Sequence, residues 1–143
     1  MNVKEILSIK GRDVVTIEPH ANVGTAAKLL AERRIGAVVV TGADARIVGI
    51  LSERDIVQVI ALRGISALEL PLSEVMTRKV TTCNLADPIS TIMERMTAGK
   101  FRHVPVVEQG RLAGIVSIGD VVKHRLQQME REQAALRDYI LTA

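Results

Sequence analysis

Gly49-Ile50-Leu51-Ser52-Glu53-Arg54-Asp55 and Gly114-Ile115-Val116-Ser117-Ile118-Gly119-Asp120 are two versions of one phrase, set 65 residues apart. Gly, Ile, Ser and Asp recur at matching places. Self-similarity at a fixed spacing inside a short chain marks one supersecondary unit, duplicated. In each copy a small hydroxyl precedes a carboxylate by three residues, just after an apolar run. That spacing suits a helix N-cap with an acidic partner in the first turn. It also suits an edge that meets a ligand.

The residues before each phrase extend the likeness. In copy one, 14–17 is short and β-branched and predicts a strand, which Pro19 and Asn22 break. Val23, Ala26, Ala27 and Leu30 fall at helical spacing, and the helix ends near Arg33-Arg34, with Gly36 as the break. A buried strand over 37–40, a turn over 42–45 and a strand over 46–51 follow. Ser52 then caps a helix over 53–62, stopped by Gly64. Copy two repeats this order. Its first strand is expected over 80–83. Asp87-Pro88 opens a helix as cap and first-turn proline. Ile89, Ile92, Met93 and Met96 form the apolar stripe of that helix, and Gly99 stops it. Strands over 103–107 and 112–116 flank the Gln109-Gly110 turn, and Ser117 caps the last helix. One such unit cannot cover both faces of its own sheet; two packed about a pseudo-two-fold axis can.

Segments outside the copies complete the organisation. Residues 1–66 hold an N-terminal segment, with a short helix over 3–7, and the first copy. Residues 67–74 form a linker containing Pro71, 75–124 hold the second copy, and 125–143 continue the last helix as a charged, loosely amphipathic extension.

Composition narrows the class. The chain has 143 residues, 48% of them hydrophobic, which is one domain's worth of chain with a normal core. Aromatics are only 1%, so Val, Ile, Leu, Ala and Met must fill that core. A net charge of +3 accommodates anionic ligands without demanding nucleic acid. The lack of aromatic stacking platforms argues further against a single-strand binder. Cys83 stands alone, so no intrachain disulfide forms, and no Cys/His spacing suggests zinc. Charges interrupt the N-terminal residues, so no signal peptide is expected. No apolar run approaches a membrane span. A soluble cytoplasmic protein is the expectation, with neither nucleic acid nor membrane as partner.

With strand, helix, strand, strand, helix in each half and G-I-x-S-x-x-D closing both, the chain resembles a CBS-domain pair, or Bateman module. Val75-Met76-Thr77 and Arg102-His103-Val104-Pro105-Val106-Val107 add to the likeness, which covers about residues 3–124. It is nearest to stand-alone bacterial CBS-pair proteins. The resemblance implies an α/β (α+β) fold of two tandem β-α-β-β-α repeats with pseudo-two-fold symmetry. It implies a regulatory, non-catalytic module sensing an adenosine ligand: AMP, ADP, ATP, NAD or S-adenosylmethionine. It further implies a homodimer of two modules paired as a flat disc, and an unidentified protein partner to be regulated.

The family pattern also implies two sites between the copies. One joins Asp13, Val15, Ile35, Gly36 and Ala37 to Ser117 and Asp120. The other joins Lys79, Thr81, Phe101, Arg102 and His103 to Ser52, Arg54 and Asp55. The residue chemistry agrees with these roles. A carboxylate can accept from both ribose hydroxyls. Hydroxyls and helix N-terminal amides can bind phosphate, as can Arg54, Arg102 and His103. The second set is rich in cations. The first has Gly36 and Ala37 where the other has Arg102 and His103, and Gly119 where the other has Arg54. It is expected to be empty or to hold a less charged portion of a larger nucleotide such as NAD.

Each feature has a plainer reading. Singly, Ser52/Asp55 and Ser117/Asp120 are commonplace helix caps, and His103 is an ordinary strand residue. Cys83 is a small buried hydrophobe, and Met93 and Met96 are core filler. A dimeric interaction scaffold with vestigial pockets, recruiting a partner through residues 125–143, is the alternative function. An enzyme is disfavoured, because no nucleophile–base motif, P-loop or metal signature is present.

Overall fold

A computed structural model describes residues 1–142. The chain runs α1 (Val3–Lys10), β1 (Thr16–Ile17), α2 (Val23–Arg33), β2 (Ala37–Thr41), β3 (Ile47–Ser52), α3 (Glu53–Arg63), α4 (Ile89–Gly99), β4 (His103–Glu108), β5 (Arg111–Ser117) and α5 (Ile118–Thr142). In copy one β2 lies between a parallel β1 and an antiparallel β3. In copy two β4 and β5 pair antiparallel in the corresponding register, with Val39 opposite Ile50 and Pro105 opposite Ile115. Gln109 and Gly110, both at positive φ (53° and 77°), form the tight turn between them. Two such residues match the twist of a hairpin.

The two cores are separate but built alike. Val23, Ala26 and Leu30 of α2 pack on Val38, Val40 and Leu51. Ile89, Ile92 and Met96 of α4 pack on Val104, Val106 and Val116. Burying each aliphatic side chain contributes about 1.5–3 kcal/mol. The lead-in segments are exchanged. Val3, Ile6 and Leu7 of α1 complete the core of copy two, whereas Leu72 and Met76 of the linker complete that of copy one. The Val3 and Lys4 amides donate to Asp87 and Leu85, and Thr77 and Ile50 exchange backbone bonds. The two glycines of the repeated phrase make this packing fit. A Cβ on Gly114 would sit 2.8 Å from Leu7 Cδ1, and one on Gly49 would sit 2.5 Å from Met76 Sδ.

Four local expectations are corrected. The first strand of copy one is confined to Thr16–Ile17. Its counterpart over 80–83 reduces to a single parallel bridge, Cys83 to Val106, because the next ladder bond would need an amide from Pro105, which has none; the Thr82 carbonyl is met by Arg95 Nη1 at 3.1 Å. Asp87 does not cap α4. Its Oδ2 accepts from the Asn84 amide (2.8 Å) and Arg95 (3.2 Å), and Pro88 stands at the cap position. The Ile89 amide is met instead by the Met1 carbonyl (3.2 Å). Finally, α4 does end at Gly99, but neither Gly36 nor Gly99 supplies the left-handed cap. Arg34 (φ 54°) and Lys100 (φ 56°) adopt the left-handed cap conformation. The glycines instead admit neighbouring side chains. A Cβ on Gly36 would lie 3.2 Å from His103 Cε1, and one on Gly99 would collide with the Phe101 ring.

Helix α1 extends three residues beyond the expected helix, to Lys10. Helix α5 is unbroken to Thr142 through the expected extension, whose last residue, 143, lies outside the described residues, and its last buried residues are Val121 and His124. No described helix is long and apolar enough to cross a membrane.

Candidate functional site

The contact of Gly36 with His103 brings the start of β2 against the start of β4. Beside it opens a cleft of about 740 Å³. Copy one lines it with Gly36, Ala37, Ser52, Arg54 and Asp55; copy two and the chain leading into it contribute Lys79, Thr81, Phe101, Arg102 and His103. All eight residues expected of the second site therefore share one wall-to-wall space. Glu53, Gln58 and Lys100 also line it, and sequence reasoning does not select them. Lys100 has a signal, since it occupies the helix-end position equivalent to Arg34.

Local structure sets these side chains. Ser52 ends β3 and caps α3, its Oγ accepting the Asp55 amide at 3.2 Å. The Asp55 Oδ2 accepts in return from the Ser52 amide (2.9 Å) and hydroxyl (3.1 Å). This capping box uses one carboxylate oxygen and leaves Oδ1 for another donor, so capping and ligand contact are compatible. The first-turn amides of α3 add their positive dipole end at the same place. Arg54 Nη1 donates to the Lys100 carbonyl at 3.4 Å and ties the two copies together across the cleft. Phe101, with its ring against the Cβ-less Gly99, also lines the cleft.

The cleft is electropositive. Arg54, Lys79, Lys100 and Arg102 outnumber Glu53 and Asp55. The ion pairs of the described residues involve Lys10, Arg12 and Arg95 and none of these four cations. Burial pushes the His103 pKa down, helped by Lys10 and Arg102 and opposed by Asp120 and Glu53. His103 is therefore neutral near pH 7 and offers one donor and one acceptor.

The pseudo-equivalent place is different. Gly36 and Ala37 line the cleft just described. Val15 and Ile35 pack against the core of copy one, and Asp13 is exposed. Ser117 and Asp120 form their own capping box, with Ser117 amide to Asp120 Oδ2 at 2.9 Å and Asp120 amide to Ser117 Oγ at 3.2 Å. Lys10 of α1 reaches the same carboxylate. Its Nζ lies 2.7 Å from Asp120 Oδ2 and 2.8 Å from the Ile115 carbonyl. Burial alone raises the Asp120 pKa, but the Lys10 and Ser117 hydrogen bonds together outweigh it and hold the carboxyl below its usual range. Lys10, 110 positions away in sequence from Asp120, is a cation that the expected site residues do not include, and because it is paired with Asp120 it adds no unpaired positive charge there. Only the exchanged packing of α1 makes Lys10 visible.

Comparison with known proteins accords with this geometry. The family model of the CBS domain matches residues 3–62 and 72–127. A CBS-domain containing protein of Agrobacterium tumefaciens is 51% identical and superposes with a TM-score of 0.85, over 87% of this chain and 99% of that one. A CBS domain protein of Pyrobaculum aerophilum, solved as a complex with AMP, is 32% identical with a TM-score of 0.74, over 84% and 89% of the two chains. A CBS domain pair solved with 5′-methylthioadenosine and S-adenosyl-L-methionine is 26% identical with a TM-score of 0.79, over 90% and 98%. The chain spans only 21% of the length of the first Arabidopsis thaliana relatives it matches, at 32% identity. With both copies matched by the family model over most of its length, this chain belongs to the CBS domain family.

Proposed function

We propose that the cleft binds an adenine nucleotide and that the chain is a regulatory, non-catalytic module. The observation carrying this reading is the convergence of eight residues from both copies on one cationic cleft whose arginines and lysines have no carboxylate partners among the described residues. Asp55 Oδ1 accepts from the ribose hydroxyls. Arg54, through its guanidinium and its free first-turn amide, with Lys79 and Arg102, receives the phosphate, and backbone groups around Gly36 and Arg102 read the adenine edge. The AMP-bound and S-adenosyl-L-methionine-bound relatives support an adenosine ligand. Unpaired phosphate-binding charge favours AMP, ADP, ATP or NAD. Because Lys10 already engages Asp120, one nucleotide is bound per chain. Since the cleft is walled by both copies, the ligand stabilises one relative placement of the two, and that preference is the signal. The homodimeric, cytoplasmic setting and the boundaries 1–66, 67–74, 75–124 and 125–143 belong to the same proposal.

Thermal unfolding of ligand-stripped protein against AMP, ADP, ATP, NAD, NADH and S-adenosylmethionine tests it. A ligand that binds only the folded state adds about 2.7 kcal/mol at a hundredfold excess over its dissociation constant. A selective rise in midpoint is expected. A flat response to the whole panel returns the chain to the scaffold reading.

A further inference from the structure

Helix α5 leaves the body of the protein after His124, and every residue from Met129 to Thr142 is exposed. A helix segment this long without packing is marginal in water. Most of its exposed large apolar side chains share one face, with Tyr139 and Leu141, also exposed, falling to either side of it. Ile118, Val122, Leu126, Met129, Leu136 and Ile140 are all exposed, and at 3.6 residues per turn they form one stripe about a quarter of the circumference wide. From Leu126 the spacing is three, four, three, four through Met129, Gln133, Leu136 and Ile140. That is the seam of a heptad repeat with one polar residue in it, the device that fixes register in paired helices. Arg125 and Glu132 flank the seam on one side, Glu130 and Arg137 on the other.

We propose that α5 pairs, parallel and in register, with α5 of a second copy of this chain. The flanking charges suit this occupant, and they favour this direction over the antiparallel register that matches Leu126 to Leu136. In a parallel pair a residue on the first flank faces the residue five positions later on the second flank of its mate. Arg125 then meets Glu130 of the second copy, and Glu132 meets Arg137; symmetry repeats both pairs. Every contact is between opposite charges. An antiparallel pair matching Leu126 to Leu136 would set Glu130 against Glu130 and Glu132 against Glu132. This seam is separate from any contact between the nucleotide-binding copies, so it joins two modules by their C-terminal arms whatever the cleft binds.

Oxidative cross-linking of the full chain tests the proposal. The native Cys83 is buried and serves as a silent background. Gln133→Cys places a thiol in the seam and Asp138→Cys places one on the outer face. Gln133→Cys is expected to give a covalent dimer at least tenfold faster than Asp138→Cys or the parent. Adding Glu130→Lys with Arg137→Glu makes every parallel contact repulsive and abolishes that advantage. Further adding Arg125→Glu with Glu132→Lys restores it. Equal slow cross-linking of Gln133→Cys and Asp138→Cys, in chains with unchanged melting points, overturns the self-pairing and leaves the stripe to a helix of another protein. Cross-linking that survives the first double reversal overturns the parallel arrangement, because an antiparallel pair shifted by one heptad keeps Glu130 opposite Arg137 after the swap.

Discussion

Replacing Lys10 with methionine removes one ammonium while keeping the length of the side chain. In the structure that ammonium makes two charge-assisted contacts, to Asp120 Oδ2 and the Ile115 carbonyl. Such bonds contribute about 1.5–3 kcal/mol when fully desolvated, and exposed ion pairs only about 0–1. Lys10 and Asp120 keep 30% and 22% of their side-chain surface, so an intermediate cost of about 1–2 kcal/mol is expected. For a domain of this size that lowers the melting point by roughly 3–6 °C. The pH dependence follows from the depressed pKa of Asp120. A carboxylate with a lowered folded-state pKa contributes stability fully above its unfolded value, 3.8, and loses it as pH falls through the folded value. The gap between parent and Lys10→Met should therefore be constant from neutral pH down to about pH 5 and shrink below about pH 4. Denaturant titrations from neutral to acid pH measure it. A variant as stable as the parent at neutral pH, or a gap that widens in acid, refutes the assignment of Lys10 as the partner of Asp120.

Three further outcomes are expected. Gly114→Val forces its side chain into Leu7, whose Cδ1 lies 2.8 Å from an ideal Cβ there, and should cost about 1–3 kcal/mol; a Leu7→Ala partner change that recovers none of this in a double-mutant cycle would contradict the exchanged packing. Burial, with Asp87 adding to it and Arg95 opposing it, pushes the Cys83 thiol up to about 12. Thiol reagents at pH 8 should therefore modify folded protein only as fast as it opens, and stoichiometric labelling within seconds would refute that. His103 has a pKa held below 6.5 in the free protein. An anionic phosphate beside it must raise that value, so binding near pH 6 takes up protons. Calorimetry in buffers of differing ionisation heat should show this uptake, and His103→Gln should lose it.

What sequence makes legible here is whatever depends on local pattern and duplication. Ser52 with Asp55, and Ser117 with Asp120, mark helix starts because capping is decided within four residues. The aliphatic strands over 37–40 and 103–107 are equally local. The first strand of copy two is not, because Pro105 on the strand it would pair with offers no amide to extend the single Cys83–Val106 bridge. Asp87-Pro88 reads as a cap, yet Asp87 is drawn to Asn84 and Arg95, and the Met1 carbonyl substitutes for it. Gly36 and Gly99 read as helix stops, although their missing Cβ atoms serve His103 and Phe101. The cationic cleft is legible because family likeness pairs the halves. The role of Lys10 is not, since it requires knowing that α1 packs on the far copy.

Titration calorimetry of AMP into ligand-stripped parent protein and into the Asp55→Ala/Arg102→Ala variant addresses the central claim most directly. The parent should saturate at one AMP per chain. The variant should stay folded and lose affinity by about 10²–10⁴-fold, the equivalent of two charge-assisted hydrogen bonds at about 1.5–3 kcal/mol each. Equal affinity in the two proteins would contradict the account and place the nucleotide elsewhere, and no heat with the parent would deny AMP a site in this cleft.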